Sequence, residues 1–328
     1  MLKAKNVENQ STGVQNFKKI ESVQMLRGIA ALSVIIYHLG SERGNFGVDL
    51  FFCISGFIMM LVTERSCVDF IKKRLLRICP IYYFLTIMAI GVAFIAPNLL
   101  RTPSTDLSLI LRSFLFIGGE APVVGVGWTL NYEMFFYFLF FLSFTISHQY
   151  RHIVASVFLG ILVILGLLIK FDNLYFHFYT NPILLEFSLG MFAYQILSKT
   201  NIKPVLALLL LAILVYGSLF FYHIPAHRLI AYGIPTFIAF ILTVKSLQNY
   251  GIPKPLVVVG NISYSLYLMH PFVITSISKV LFNQNTIPFT FTGILSGIAI
   301  TGVAIGIAYV SWYFIEEKLS GFLKDKWM

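Results

Sequence analysis

The chain has 328 residues, 58% of them hydrophobic and only 12% charged, with a formal net charge of +10. A soluble domain carries about 25% charged residues, so the composition excludes a soluble globular protein and points to an all-α, polytopic membrane protein. The positive excess does not mark a nucleic-acid binder, because the basic residues stand at the ends of apolar runs, where they report orientation in a bilayer.

Residues 1–21 are polar and partly basic. They hold neither the apolar core nor the small-residue cleavage site of a signal peptide, so they are expected to form a tail ahead of a signal-anchor helix. Apolar segments follow near 22–40, 47–63, 76–96, 128–147, 153–170, 182–197, 204–222, 229–244, 256–281 and 289–314. Each approaches the roughly 20 residues that a spanning helix needs. One further piece, Leu107 to Ile117, is short and contains Arg112. Counting it gives eleven spans, with segments 198–203 and 245–255 and the basic C-terminus outside. Leaving it as an outer re-entrant or loop segment between spans 3 and 4 gives ten spans and both termini in the cytoplasm. The ten-span arrangement puts 18 of the 24 Lys and Arg residues inside, as the positive-inside rule favours. The expectation is one membrane domain, 22–315, followed by a cytoplasmic tail, 316–328. Cys53, Cys67 and Cys79 form no close pair, so neither a disulfide framework nor a metal site is expected.

Ionisable groups at membrane depth are costly and default to functional candidates. Arg27 and His38 are eleven residues apart in the first span, about 16 Å along one helical face. Arg27 reads either as an interfacial anchor or as a site residue, and His38 either as a satisfied bundle residue or as a base. Asp49 opens the second span near the level of His38. It reads as an orienting partner for the imidazole or as a helix cap. Ser55 lies in the same span beside Gly56, without the turn that marks a nucleophilic serine. Lys72, Lys73, Arg74 and Arg77 form a basic cluster in the loop before the third span. They suit anionic headgroups or a phosphate-bearing ligand. Glu133, in the stretch GWTLNYEMFFYF with Trp128 and Asn131, needs a partner or a proton. The candidate partners are His38, Arg101 and Arg112. Glu186 stands at similar depth. His270 precedes Pro271 in SYSLYLMHPF, with Asn261, Ser263 and Tyr264 about two turns below.

Five stretches, taken together and in order, are similar to the acyltransferase 3 family of membrane O-acyltransferases. They are Arg27 to His38, FGVDLFFCISGFIM (46–59), RLLR (74–77), GWTLNYEMFFY (127–137) and SYSLYLMHPF (263–272). The wording of NYEMFFY and NPILLEFSLG most resembles the branch that acetylates exopolysaccharide or lipopolysaccharide sugars. The resemblance implies transfer of an acyl group, usually acetyl, from a cytoplasmic acyl-coenzyme A to a hydroxyl of a surface or lipid-linked glycan, in the bacterial inner membrane. It implies no permanently bound cofactor. His38 corresponds to the family's catalytic base, with Glu133 or Asp49 steadying it. Arg74 and Arg77 correspond to the donor-side motif, joined by Arg27 and Lys73. Ser55, Trp128, Asn131, Tyr264 and His270 complete the candidate polar groups. Some relatives carry an extra outer hydrolase-like domain; this chain stops at Met328, so the membrane domain is expected to complete the transfer. The competing expectation is a transporter or flippase of lipid-linked sugars, which often shows two related halves; no internal repeat is visible.

Overall fold

The computed structural model describes residues 21–41, 44–64, 68–100, 103–200, 202–221, 227–283 and 290–327. Residues 1–20 of the expected tail lie outside them, as do Arg43, Arg65, Cys67 and Arg101. The described residues form helices and connecting turns, with no strand among them. Helix α1 covers 21–38. It is followed by α2 (Phe46–Val62), α3 (Phe70–Ile95), α4 (Leu107–Phe114), α5 (Trp128–Ile146), α6 (Arg151–Leu168), α7 (Leu174–Tyr179) and α8 (Leu185–Lys199). Then come α9 (Pro204–Phe221), α10 (Ile234–Ser246), α11 (Lys254–Asn261), α12 (Ser263–Phe282), α13 (Phe291–Ser311) and α14 (Ser320–Trp327).

All ten apolar segments are helical over most of their described length. Among the described residues, six helical stretches are long and apolar enough to cross a membrane: Phe70–Ile95, Gly125–Ile146, Arg151–Leu168, Leu229–Ser246, Ser263–Phe282 and Thr292–Lys326. The other four segments lie in α1, α2, α8 and α9. Helix α4 has eight residues, about 12 Å of rise against roughly 30 Å of hydrocarbon. It is too short to cross. Large apolar side chains on α6, α9 and α13 face outward, among them Leu168 (75% exposed) and Ile213 and Ile298 (67% each), as a lipid-facing surface requires.

Two boundaries differ from the sequence reading, and at a third position the helix runs on. The basic cluster is not in a loop, since α3 starts at Phe70 and carries Lys72, Lys73, Arg74 and Arg77 in its first two turns. The segment 256–281 is broken at Ile262, which closes α11 ahead of α12; Gly260, Asn261 and Ser263 mark that corner in the sequence. No helix end falls between 315 and 316. A π-helical stretch, Trp312–Leu319, carries α13 into α14, because the charges of the expected tail do not stop a helix.

Glycines set the closest approaches. A Cβ on Gly56 would stand 2.1 Å from the Phe187 carbonyl oxygen, and one on Gly190 would stand 1.9 Å from that of Cys53. Helices α2 and α8 therefore touch backbone to backbone, the close packing that small residues permit in membranes. Beside this seam, the Phe187 ring packs on Phe52 (4.6 Å) and Phe136 (4.3 Å). Gly260 does the same for α11 against α1, where a Cβ would meet the Gln24 carbonyl oxygen at 1.9 Å. That contact holds α1 against the corner from which α12 departs. Two buried cations close helix ends. Arg151 donates to Thr63 Oγ1 (3.0 Å) and the Met60 carbonyl (3.3 Å) at the end of α2. Lys245 donates to the Leu197 and Thr200 carbonyls (3.2 and 2.5 Å) at the end of α8. Both occupy the favourable end of the helix dipole.

Candidate functional site

Arg27 of α1 and Arg74 and Arg77 of α3 converge although 50 residues of chain separate the first from the last. They line two adjoining cavities. The wider one, about 1270 Å³, is polar and also lined by Gln24, Lys73, Asn261, Trp312, Glu316 and Lys324. The inner one, about 710 Å³, runs between α2, α3, α5 and α12 past Phe52, Ser55, Glu133, Tyr264 and Tyr267. A guanidinium fork matches phosphate oxygens, so the arginines at the shared mouth suit a phosphate-bearing ligand.

The carboxylates have partners that their sequence positions did not announce. Of the partners weighed for Glu133, Arg101 lies outside the described residues. Glu133 Oε1 accepts from Ser55 Oγ at 3.0 Å and from the Tyr137 hydroxyl, and it faces the inner cavity opposite the arginines. Arg112 is held elsewhere, by Glu120 (2.9 Å) and the Tyr175 hydroxyl (2.6 Å). Asp49, 1% exposed, accepts from Arg228 at 2.6 Å, a partner that the sequence reading did not give it. A carboxylate this deeply buried needs a full countercharge, which the Arg228 guanidinium supplies. Arg228 also donates to Asn45 Oδ1 at 3.1 Å. Glu186 is equally buried and packs on Asp49.

His38 is joined instead to His270. His38 Nδ1 lies 2.9 Å from the Val34 carbonyl oxygen, one turn back, and 3.2 Å from His270 Nε2. The rings meet edge to face with centroids 4.8 Å apart. His270 is fully buried. Tyr267, one turn earlier on α12, lines the inner cavity, and its ring centroid lies 5.9 Å from that of His270. It is the common wall between cavity and histidine pair. Its hydroxyl is fixed by Thr129 Oγ1 (3.0 Å) and the Val126 carbonyl (3.1 Å).

The other candidates disperse. Tyr264 lines the inner cavity and donates to the Ile78 carbonyl at 2.9 Å. Trp128 packs edge-on against Phe52 and Tyr132. Asn131 is buried and donates to the Ile117 carbonyl at 3.3 Å, with its Oδ1 unpartnered. Lys73 is exposed and bonded to the Val68 carbonyl at 3.0 Å. The sequence reading missed Arg228, Tyr137, Tyr267 and Glu316. Tyr137 and Tyr267 were legible, since they lie i+4 from Glu133 and three residues before His270 on their helices. Glu316 was hidden by its assignment to a tail. It accepts from Ser265 Oγ and feels the charges of Arg77 and Arg27.

No solved structure matches this chain. Residues 20–313 match the acyltransferase 3 family, described as an acyltransferase domain. The chain is similar to the exopolysaccharide production protein ExoZ of Rhizobium meliloti (strain 1021), at 31% identity over 87% of this chain and 94% of that protein. It is also similar to the O-acetyltransferase OatA of Staphylococcus aureus (strain NCTC 8325 / PS 47), at 27% identity over 93% of this chain but only 59% of the length of that relative. A match this extensive decides between a catalyst and a carrier: this membrane protein, which gathers three arginines at a cavity mouth and pairs two histidines beyond the cavity wall, belongs to the acyltransferase 3 family and is an acyltransferase.

Proposed function

We propose that the protein transfers an acyl group, acetyl in the first instance, from acyl-coenzyme A to a hydroxyl of a surface polysaccharide or of its lipid-linked precursor. The relatives' names supply the acceptor class. The observation that carries the donor is the arginine-ringed mouth opening on a largely apolar cavity that ends at Tyr267, one side chain from the histidines. Coenzyme A has a phosphate-rich head and a long uncharged arm. Arg27, Arg74 and Arg77 hold the head, and the arm runs inward toward Tyr267. His38 then takes the hydroxyl proton as the sugar oxygen attacks the thioester carbonyl. The sulfur leaves with the bonding electrons and receives that proton from His38. Glu133, held by Ser55 and Tyr137, lies on the path of the arm and not beside the base.

Purified full-length protein supplied with labelled acetyl-coenzyme A and a panel of surface glycans tests this. Label is expected in base-labile ester on one glycan, and no transfer to any glycan with active donor present counts against the reading. Arg74→Ala and Arg77→Ala are each expected to raise the donor KM about tenfold or more, the loss of one charge-assisted contact of about 1.5–3 kcal/mol, with the acceptor KM unchanged. Equal weakening for both substrates removes the donor head from this mouth.

The donor is cytoplasmic, so the arginine mouth and both termini face the cytoplasm of a bacterial inner membrane. Lys245 and Arg151, which cap helix ends, fall on that side, as the positive-inside rule favours. Reporter fusions at Lys199 and Lys245 are expected to behave as cytoplasmic; periplasmic behaviour at both overturns the orientation.

A further inference from the structure

The contact between His38 and His270 has a consequence for the base. We propose that His270 is a positioning residue whose Nε2 accepts the hydrogen bond of His38 Nδ1–H, and that Pro271 sets the tautomer that makes this possible. The proposal rests on His38 being the base.

The proton positions follow from the neighbours. A carbonyl oxygen can only accept, so the 2.9 Å contact of His38 Nδ1 with the Val34 carbonyl puts a proton on Nδ1. The neutral ring then carries its lone pair on Nε2, the atom required of a base. His270 Nε2 lies 3.2 Å from the same Nδ1. That nitrogen has no lone pair to offer, so His270 Nε2 must be the acceptor, and the N–H is shared between ring and carbonyl. Neutral His270 therefore carries its own proton on Nδ1.

The sequence provides for that proton. Pro271 sits inside α12 and has no amide N–H, so the Tyr267 carbonyl four residues earlier lacks its helical donor. His270 Nδ1 is buried with no hydrogen-bond partner, and the main-chain groups acting on the ring are those of Tyr267 and Leu266. The carbonyl that Pro271 releases is thus the acceptor available to His270 Nδ1–H. On this proposal, a bond from Nδ1–H to the released carbonyl holds the tautomer whose Nε2 lone pair faces His38.

This arrangement favours the transition state over the ground state. When His38 takes the hydroxyl proton it becomes an imidazolium, and its Nδ1–H becomes a charged donor. Hydrogen bonds from charged donors are roughly twice as strong as neutral ones. An interaction that strengthens as the reaction proceeds raises kcat, whereas uniform binding alters KM.

Three variants of the full-length protein test this, with donor binding and kinetics measured on each. His270→Phe keeps an aromatic ring but removes the acceptor. Its kcat is expected to fall about 10- to 100-fold, less than the loss of a base, with the donor KM within about twofold. His270→Gln places an amide oxygen near the Nε2 position and should recover most of that loss. His270→Asn is polar but too short and should not. If His270 only fills space, the order reverses, with Phe active and Gln impaired; that outcome overturns the proposal. Should the Phe variant fail to accumulate, Gln against Asn decides alone, and Asn equal to or better than Gln overturns it. His38→Gln is assayed in parallel. Native rates there sink the base reading itself, whereas a slow His38→Gln beside a native-rate His270→Phe sinks only the present inference.

Discussion

Replacing His38 by alanine is expected to slow acyl transfer by about 10²–10⁴-fold, while the protein inserts and accumulates as the native chain does. The stability side of this expectation rests on its surroundings. His38 is only partly buried near the end of α1, where its neighbours include the Val34 carbonyl, His270 and Tyr37. Loss of the ring opens little space in the core. His38→Gln separates two roles. Glutamine keeps a polar group of similar reach but cannot take the hydroxyl proton, so it should be nearly as slow as alanine. A Gln variant with native rates and normal expression returns His38 to a structural hydrogen bond.

Arg228→Ala is expected to cost about 3 kcal/mol of stability, the low end for breaking a buried ion pair, because the Arg228 side chain is 30% exposed whereas that of Asp49 is fully buried. The variant leaves Asp49 against Glu186 with no cation between them and water. It should accumulate poorly and extract from the membrane with a lowered unfolding midpoint. Asp49→Asn in the same chain removes the orphaned charge and should restore much of the yield. If Arg228→Ala is as stable as the native protein, the pair is not a fixture of the fold.

The helices were legible because apolar run length is a direct consequence of hydrocarbon thickness. The distribution of Lys and Arg left α4 out of the spans, and its eight residues are too few to cross; its Arg112 pairs with Glu120 and Tyr175. The arginine mouth was half legible: Arg74 and Arg77 share a face by spacing, but that Arg27 joins them depends on how α1 lies against α3. Partners across long sequence separations were not legible at all. Asp49 was read against the nearest titratable neighbour, His38, whereas its countercharge sits 179 residues away. Glu133 was weighed against His38, Arg101 and Arg112, whereas its hydrogen bonds come from Ser55, 78 residues away, and Tyr137, four away. His270 met His38 across 232 residues, through the Gly260 contact that draws α1 onto the α11–α12 corner.

The seam between α2 and α8 bears on how the enzyme moves. At Gly56 and Gly190 no side chain intervenes, so the two helices cannot part or slide without breaking main-chain contact, and they travel as one beam. On the proposed function, a bulky sugar acceptor would not wedge in there, and any breathing that admits it and lets the spent donor leave would be carried by the other walls, α1, α3 and the α12–α14 arm. On that view, alanine at Gly56 or Gly190 should damage assembly, while stiffening the C-terminal arm should throttle turnover and leave the fold whole.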